Sequence, residues 1–191
     1  MVVVTGPSGA GKGTLERLVL DGMPELALAV SATTRPRRAS EEDGREYWFI
    51  SPEEFQRRID AGDFLEWVDY VSGHRYGTLR SEIDRIHELG KVPLLDLEIE
   101  GAIHVRDSVA GAVTVFVDAP TFAELERRLR DRATESSGEI DERLELAREQ
   151  QKQSGEFDHV IVNDDVERAA GELEQIVRAA LARAAATMAR P

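Results

Sequence analysis

Three glycines, Gly6, Gly9 and Gly11, fall within six positions near the start of the chain, and Lys12 follows at once. The β-branched run Val2 to Val4 precedes them and reads as a buried strand. Leu15, Leu18 and Val19 follow at helical offsets. Strand, glycine loop, lysine and helix in that order wrap backbone N–H groups around phosphate oxygens. The glycines allow the loop to turn and to approach the phosphates closely. The lysine reaches the terminal phosphates, and the helix dipole turns its positive end toward them. The strict pattern places Ser or Thr directly after the lysine. Here Gly13 stands there and Thr14 comes next, so the usual hydroxyl ligand for magnesium is missing or displaced by one residue.

The chain has 191 residues, enough for one good core with small insertions. It has no cysteine, which excludes disulfides, thiolate zinc sites and a thiol nucleophile. No run of about 18 apolar residues is present, so no membrane span is expected. The first strand begins at Met1 without room for a leader, and the expected location is cytoplasmic. Net charge is −13, the opposite of what a nucleic-acid binder carries, so no nucleic-acid partner is expected. Two arginine clusters stand against that background: Arg35, Arg37 and Arg38, then Arg127, Arg128, Arg130 and Arg132. Local positive patches on a repelling surface suit small anionic ligands held at defined points.

Strand-like and helix-like stretches alternate at both ends of the chain, which predicts a parallel sheet with helices on both faces. Val113 to Val117 is a clear strand, and Val160 to Val162 is the last. Val92 to Leu97 is short and apolar and contains Asp96, and Pro93 counts against a central strand unless it sits at the start. Capping boxes open helices at Ser51 and Thr121, and Thr78 offers a cap for a third helix bearing Ile83 and Ile86. Trp48, Phe49 and Trp67 are expected in the core, and Arg127 and Arg130 on the surface. His74, His87, His104 and His159 show no ligand spacing. The middle, roughly Thr34 to Gly77, reads as an inserted lobe. Ligands of such sheets sit beyond the carboxyl ends of the strands, where the glycine loop lies.

Taken in order, the residues resemble the guanylate kinase family over almost the whole chain. The resemblance rests on Gly-Pro-Ser-Gly-Ala-Gly-Lys at 6–12, Ser-Ala-Thr-Thr-Arg-Pro-Arg-Arg at 31–38, and Asp43-Gly44 leading to Tyr47. It continues through Phe64-Leu65-Glu66-Trp67, Tyr76-Gly77-Thr78, Arg132, Arg143 and Val162-Asn163-Asp164-Asp165. It implies a three-layer P-loop nucleoside monophosphate kinase fold. Its core would be 1–30, 78–124 and 145–191, with a mixed α/β GMP-binding lobe at about 31–77 and a helical lid at about 125–144. It implies transfer of the γ-phosphoryl group of ATP to GMP, and to dGMP, with magnesium.

Carried over by position, the resemblance sets Gly6, Pro7, Ser8, Gly9, Ala10, Gly11, Lys12, Gly13 and Thr14 around the ATP phosphates, with Asn163 near the adenine. Arg128, Arg132 and Arg143 would be lid arginines, with Arg132 also on ATP. Arg35, Arg38, Tyr47 and Tyr76 would hold the GMP phosphate, and Ser31, Glu66, Thr78 and Glu98 would read the guanine. Catalysis would fall to Lys12, Arg35, Arg128, Arg132 and Arg143, with Asp96 orienting magnesium through water. A phosphate dianion suits forked guanidinium donors and phenol hydroxyls. Guanine offers N1–H and N2–H₂ along one edge, and one carboxylate accepts both. Adenine would leave that carboxylate unpaired, which supports selectivity of about 10⁴. The chain departs from the family at Gly13, at Glu98 and Glu100, where Asp and Gln are usual, and by one extra residue between Tyr70 and Tyr76. Two other readings keep part of this pattern: a ribose 1,5-bisphosphate-type kinase on the same scaffold, and a phosphopeptide-binding module. Oligomeric state is not set, and a homodimer is compatible with the sequence.

Overall fold

The computed structural model describes residues 1–70, 73–132 and 137–188, without the side chains of 132, 137–139 and 184–188. Val2–Thr5 forms β1, and Lys12–Gly22 forms α1. Short strands follow at Leu26–Leu28 (β2), Ala32–Thr33 (β3) and Trp48–Phe49 (β4), then α2 at Pro52–Ala61. Next come β5 (Phe64–Asp69), β6 (Arg75–Leu79), α3 (Arg80–Glu88), β7 (Val92–Asp96) and α4 (Ile99–Ser108). The chain continues through β8 (Val113–Asp118), α5 (Phe122–Arg132), α6 (Ser137–Lys152), β9 (His159–Val162) and α7 (Val166–Met188).

The main sheet has five strands in the order β2-β7-β1-β8-β9, every neighbouring pair parallel. Both of its faces are covered. Val2 and Val4 pack with Leu15 and Val19 of α1 and Leu173 and Val177 of α7, whereas Val3 joins Ile83, Ile86, Ala102 and Val105 from α3 and α4 on the other side. That is why β1 reads as an unbroken valine run rather than an alternation.

A second sheet of four strands, order β4-β3-β6-β5, is mixed. It carries its own small core of Ala32, Phe55, Phe64 and Leu79. The capping box at Ser51 is realised, with the Glu54 amide donating to Ser51 Oγ at 3.1 Å, and Gly62 closes α2 at φ 72°. The Thr121 box is realised in the same way by the Glu124 amide. Helices α5 and α6 pack on each other through Leu125, Leu129, Ile140 and Leu144. Among the described residues no helix is long and apolar enough to cross a membrane.

Two expectations need correction, and the proviso on Pro93 is met by its place at the start of β7. Pro93 is the second residue of this interior strand. The Val92 amide donates to Glu25 O on the β2 side, so the Pro93 nitrogen faces β1, whose pairing starts only at Leu94. No ladder bond is therefore lost. Thr78 caps nothing: it is the fourth residue of β6, and α3 starts after Leu79 without a side-chain cap. Trp67 is 40% exposed rather than core, and the Arg75 guanidinium lies over its ring at 5.8 Å. Trp48 and Phe49 are half-buried.

Candidate active site

The loop from Gly6 to Gly11 joins β1 to α1 at the carboxyl edge of the main sheet. Its three glycines have φ of 139°, 91° and 96°, a range that side chains rarely adopt. Two of them also admit no Cβ: at Gly6 it would run into the Val117 carbonyl, and at Gly11 into the Asn163 amide. Helix α1 has neither a capping side chain nor an acidic residue in its first turn, so its leading amides face outward for an anion. The Lys12 ammonium folds back over the loop and donates to Gly6 O at 2.8 Å.

The residues that follow the other strands brace this loop. Thr5 Oγ1 donates to Leu97 O at 2.8 Å, tying the ends of β1 and β7. Asn163, 2% exposed, donates from Nδ2 to Ala10 O at 2.8 Å. Arg128 is held by Glu124 at 2.8 Å and donates to Asn163 O at 3.1 Å. Arg143, from α6, donates to Ser8 Oγ at 2.5 Å. Arg127 and Arg130 are exposed and paired with Glu124 and Glu126 on their own helix, as expected of surface residues. The Arg132 side chain lies outside the described residues.

Beside the loop lies a cleft of about 680 Å³, partly open to solvent, between the two sheets. Lys12, Ser31, Tyr47, Glu66, Tyr70, Tyr76, Asp96 and Glu98 line it. A second cleft, about 400 Å³, runs under α6 and is lined by Gly6, Ser8, Lys12, Tyr70, Glu98 and Arg143, among others. The two share Lys12, Tyr70 and Glu98, so they meet at the loop.

Glu66 forms the deep wall of the first cleft and is only 4% exposed. A bulge between Phe64 and Glu66 sets it opposite Thr78, and the Thr78 amide donates to Glu66 Oε1 at 2.8 Å. Burial pushes its carboxyl up to about 7, against the pull of the Thr78 hydroxyl and amide. Gly101 makes room for it, since a Cβ there would strike Glu66 Oε2. Tyr47 is pushed up to about 12, chiefly by burial and then by Asp96, and stays a phenol donor. Burial raises Glu98 as well, with Lys12 opposing it. Asp96 is reached by solvent along the cleft yet enclosed by protein, and its carboxyl is raised by that enclosure against the pull of Lys12.

Arg35 stands outside the lining set, with its guanidinium over the rings of Tyr47 and Phe49 at 5.4 and 5.6 Å. Its fork grips Glu41 at 2.8 and 3.1 Å. Arg38 is exposed on the same loop, and its amide donates to Glu41 Oε2 at 2.8 Å. Of the residues expected around the acceptor, Ser31, Tyr47, Glu66, Tyr76 and Glu98 therefore line one cleft, while Thr78 lies behind Glu66 and orients it. Asn163 is beneath the loop, against Ala10. Tyr70, which lines both clefts, Glu41, which holds Arg35, and Gly101, which makes room for Glu66, were missed. Gly101 had a signal, a lone glycine opening a helix, and the others had none beyond residue type.

A phosphate-cradling loop at the sheet edge, with a second polar cleft opening onto the same lysine, defines a P-loop kinase acting on a phosphorylated acceptor. A family model described as guanylate kinase matches residues 1–180. The chain is 48% identical over 178 residues to a guanylate kinase of Rubrobacter xylanophilus, covering 93% of each. It is 46% identical over 183 residues to one of Symbiobacterium thermophilum, covering 96% of this chain and 86% of that relative. The crystal structure of guanylate kinase from Anaplasma phagocytophilum superposes with a TM-score of 0.76 at 29% identity, covering 94% of this chain and 84% of that one. The chain belongs to the guanylate kinase family.

Proposed function

We propose that this chain transfers the γ-phosphoryl group of ATP to GMP, giving ADP and GDP, with dGMP as a second acceptor. The meeting of two clefts at Lys12 carries this reading, because the two phosphates must come into line there. GMP takes the cleft between the sheets, with Glu66 accepting from the guanine N–H edge and Ser31 and Glu98 beside it. Its phosphate lies toward Tyr47, Tyr76 and Arg35, where it competes with Glu41 for the guanidinium fork; Arg38 closes from the same loop. ATP takes the glycine loop, and its phosphates draw the Lys12 ammonium off Gly6 O. The segment 31–77 then acts as the GMP lobe and 125–144 as the lid.

The acceptor oxygen belongs to a phosphate largely ionised at neutral pH, so no general base is needed. Lys12, the loop amides and the arginines hold the donor and stabilise charge on the transferring group. Magnesium fits this edge of the sheet, where Asp96 is reached by solvent beside Lys12, and when bound it neutralises phosphate charge. Closure of Arg128 and Arg143 over the loop excludes water that would hydrolyse ATP.

A coupled assay comparing GMP, dGMP, AMP, UMP and ribose phosphates at equal concentration tests the assignment. GMP is expected to lead, and faster turnover of a ribose phosphate would overturn it. Lys12→Met is expected to abolish turnover while leaving GMP affinity within about threefold by calorimetry. Loss of both together would show that the two clefts are wrongly assigned.

A further inference from the structure

The hydroxyl that usually follows a P-loop lysine is absent, because Gly13 follows Lys12. One turn further along α1 stands Glu16, an acid only 4% exposed. Its Oε1 is buried with no hydrogen-bond partner among the described residues. Its Oε2 lies 4.0 Å from where a Cβ on Gly13 would be, beside the space a serine there would fill. Lys12 acts on the acid through its charge but makes no hydrogen bond to Oε1; its ammonium donates to Gly6 O at 2.8 Å. Burial first, then the charge of Asp96, pushes the Glu16 carboxyl up to about 8 against the pull of Lys12, and both Asp96 and Lys12 line the acceptor cleft. A buried carboxylate oxygen left unpaired is costly, so its retention calls for a partner that arrives with the ligand.

We infer that Glu16 replaces the missing hydroxyl, and that with Asp96 it holds the magnesium of bound ATP. The inference rests on the loop being the ATP site. Magnesium takes one or two carboxylates and completes its shell with phosphate oxygens and water. Accordingly, no group of three or more acidic, histidine or cysteine side chains suited to a metal gathers among the described residues. Gly13 itself puts no side chain between the loop and Glu16.

The test is calorimetric and needs no turnover. ATP is titrated into the whole chain, once with excess magnesium and once with EDTA, and the ratio of the two affinities is read. In Glu16→Gln the ratio is expected to fall about tenfold through weaker binding with magnesium, metal-free ATP binding about as well as before. Gly13→Ser/Glu16→Gln is expected to recover most of the ratio by restoring the hydroxyl. Should Glu16→Gln fail to fold, Glu16→Asp keeps the charge but withdraws the oxygens by one methylene, and a reduced ratio is again expected. A ratio unchanged in whichever folded variant is measured overturns the inference while the ATP site stands. Absence of ATP binding by the unaltered chain in either buffer would instead remove the ATP reading itself.

Discussion

Glu66 joins burial, binding and pH in one side chain. Its carboxyl is raised from 4.5 to about 7, so the protonated form is the one the empty fold prefers. The contribution to stability is thus full below pH 4.5 and is lost as pH rises through about 7, a loss of about 3 kcal/mol. Glu66→Gln keeps the acceptor for the Thr78 amide without the charge. It is expected to raise the melting temperature of the empty protein at pH 8 by several degrees and to leave it unchanged at pH 4. GMP binding has the opposite sign, since guanine needs the carboxylate. Affinity is expected to fall up to tenfold per pH unit below about 7 in the unaltered chain. In Glu66→Gln that part of the slope disappears, leaving only the titration of the GMP phosphate, and GMP binds far more weakly at pH 8. Gly11 carries a different constraint, both dihedral and steric. Gly11→Ala is expected to abolish the thermal shift given by ATP. Adding Asn163→Ala removes the collision but not the φ of 96°, so full recovery in the double variant would refute the dihedral part of the argument.

Among the elements, α6 carries the proposed effect on rate, because it brings Arg143 onto Ser8 across the proposed donor cleft. It packs on α5 through its own small cluster and is tied to the sheet at the end of β8, where Gln151 donates to Asp118 at 2.7 Å. Such an element can move as a unit while the main core stays closed. Arg143→Ala is expected to lower kcat about a hundredfold with GMP affinity unchanged, read from steady-state rates beside calorimetry. Equal loss in GMP affinity would mean that α6 supports the acceptor cleft instead. The elements also show why local signals misled. Thr78 followed by a helical pattern looks like a cap, but its amide is taken by Glu66 twelve residues away, on a strand paired to its own. Pro93 leaves the fit of an interior strand open until the register of its two neighbours is known. The capping boxes at Ser51 and Thr121 were readable because their partners lie three residues away.

At the scale of the molecule, a chain of net charge −13 sets Lys12, Arg128 and Arg143 at the glycine loop and Arg35 on the loop after β3. The parallel sheet supplies the rigid edge, and the mixed sheet with its separate core stands across the cleft from it. Because both clefts contain Lys12, Tyr70 and Glu98, filling one bears on the other. Hydrogen exchange is expected to show GMP slowing amides of β3 to β6, and ATP slowing Gly6 to Thr14 with α5 and α6. Both ligands together should protect more than the sum of each. Strictly additive protection would exclude closure of the two sides on one another.

Sequence alone determined what depends on short range: strands and helices from their hydrophobic periods, caps from three-residue spacing, and the loop from glycines that alone tolerate its dihedrals. With the family's motifs it also pointed to the residue types proposed for each phosphate. The tertiary structure decided which side chains meet. Glu41 on the fork of Arg35, Gly101 beneath Glu66 and Glu16 beside Gly13 are matters of approach, set by bulge, register and helix rotation. A carboxylate carries no sign in the sequence of whether it will face water, an arginine or a metal. That is settled only when elements distant along the chain pack and decide how much solvent remains around it.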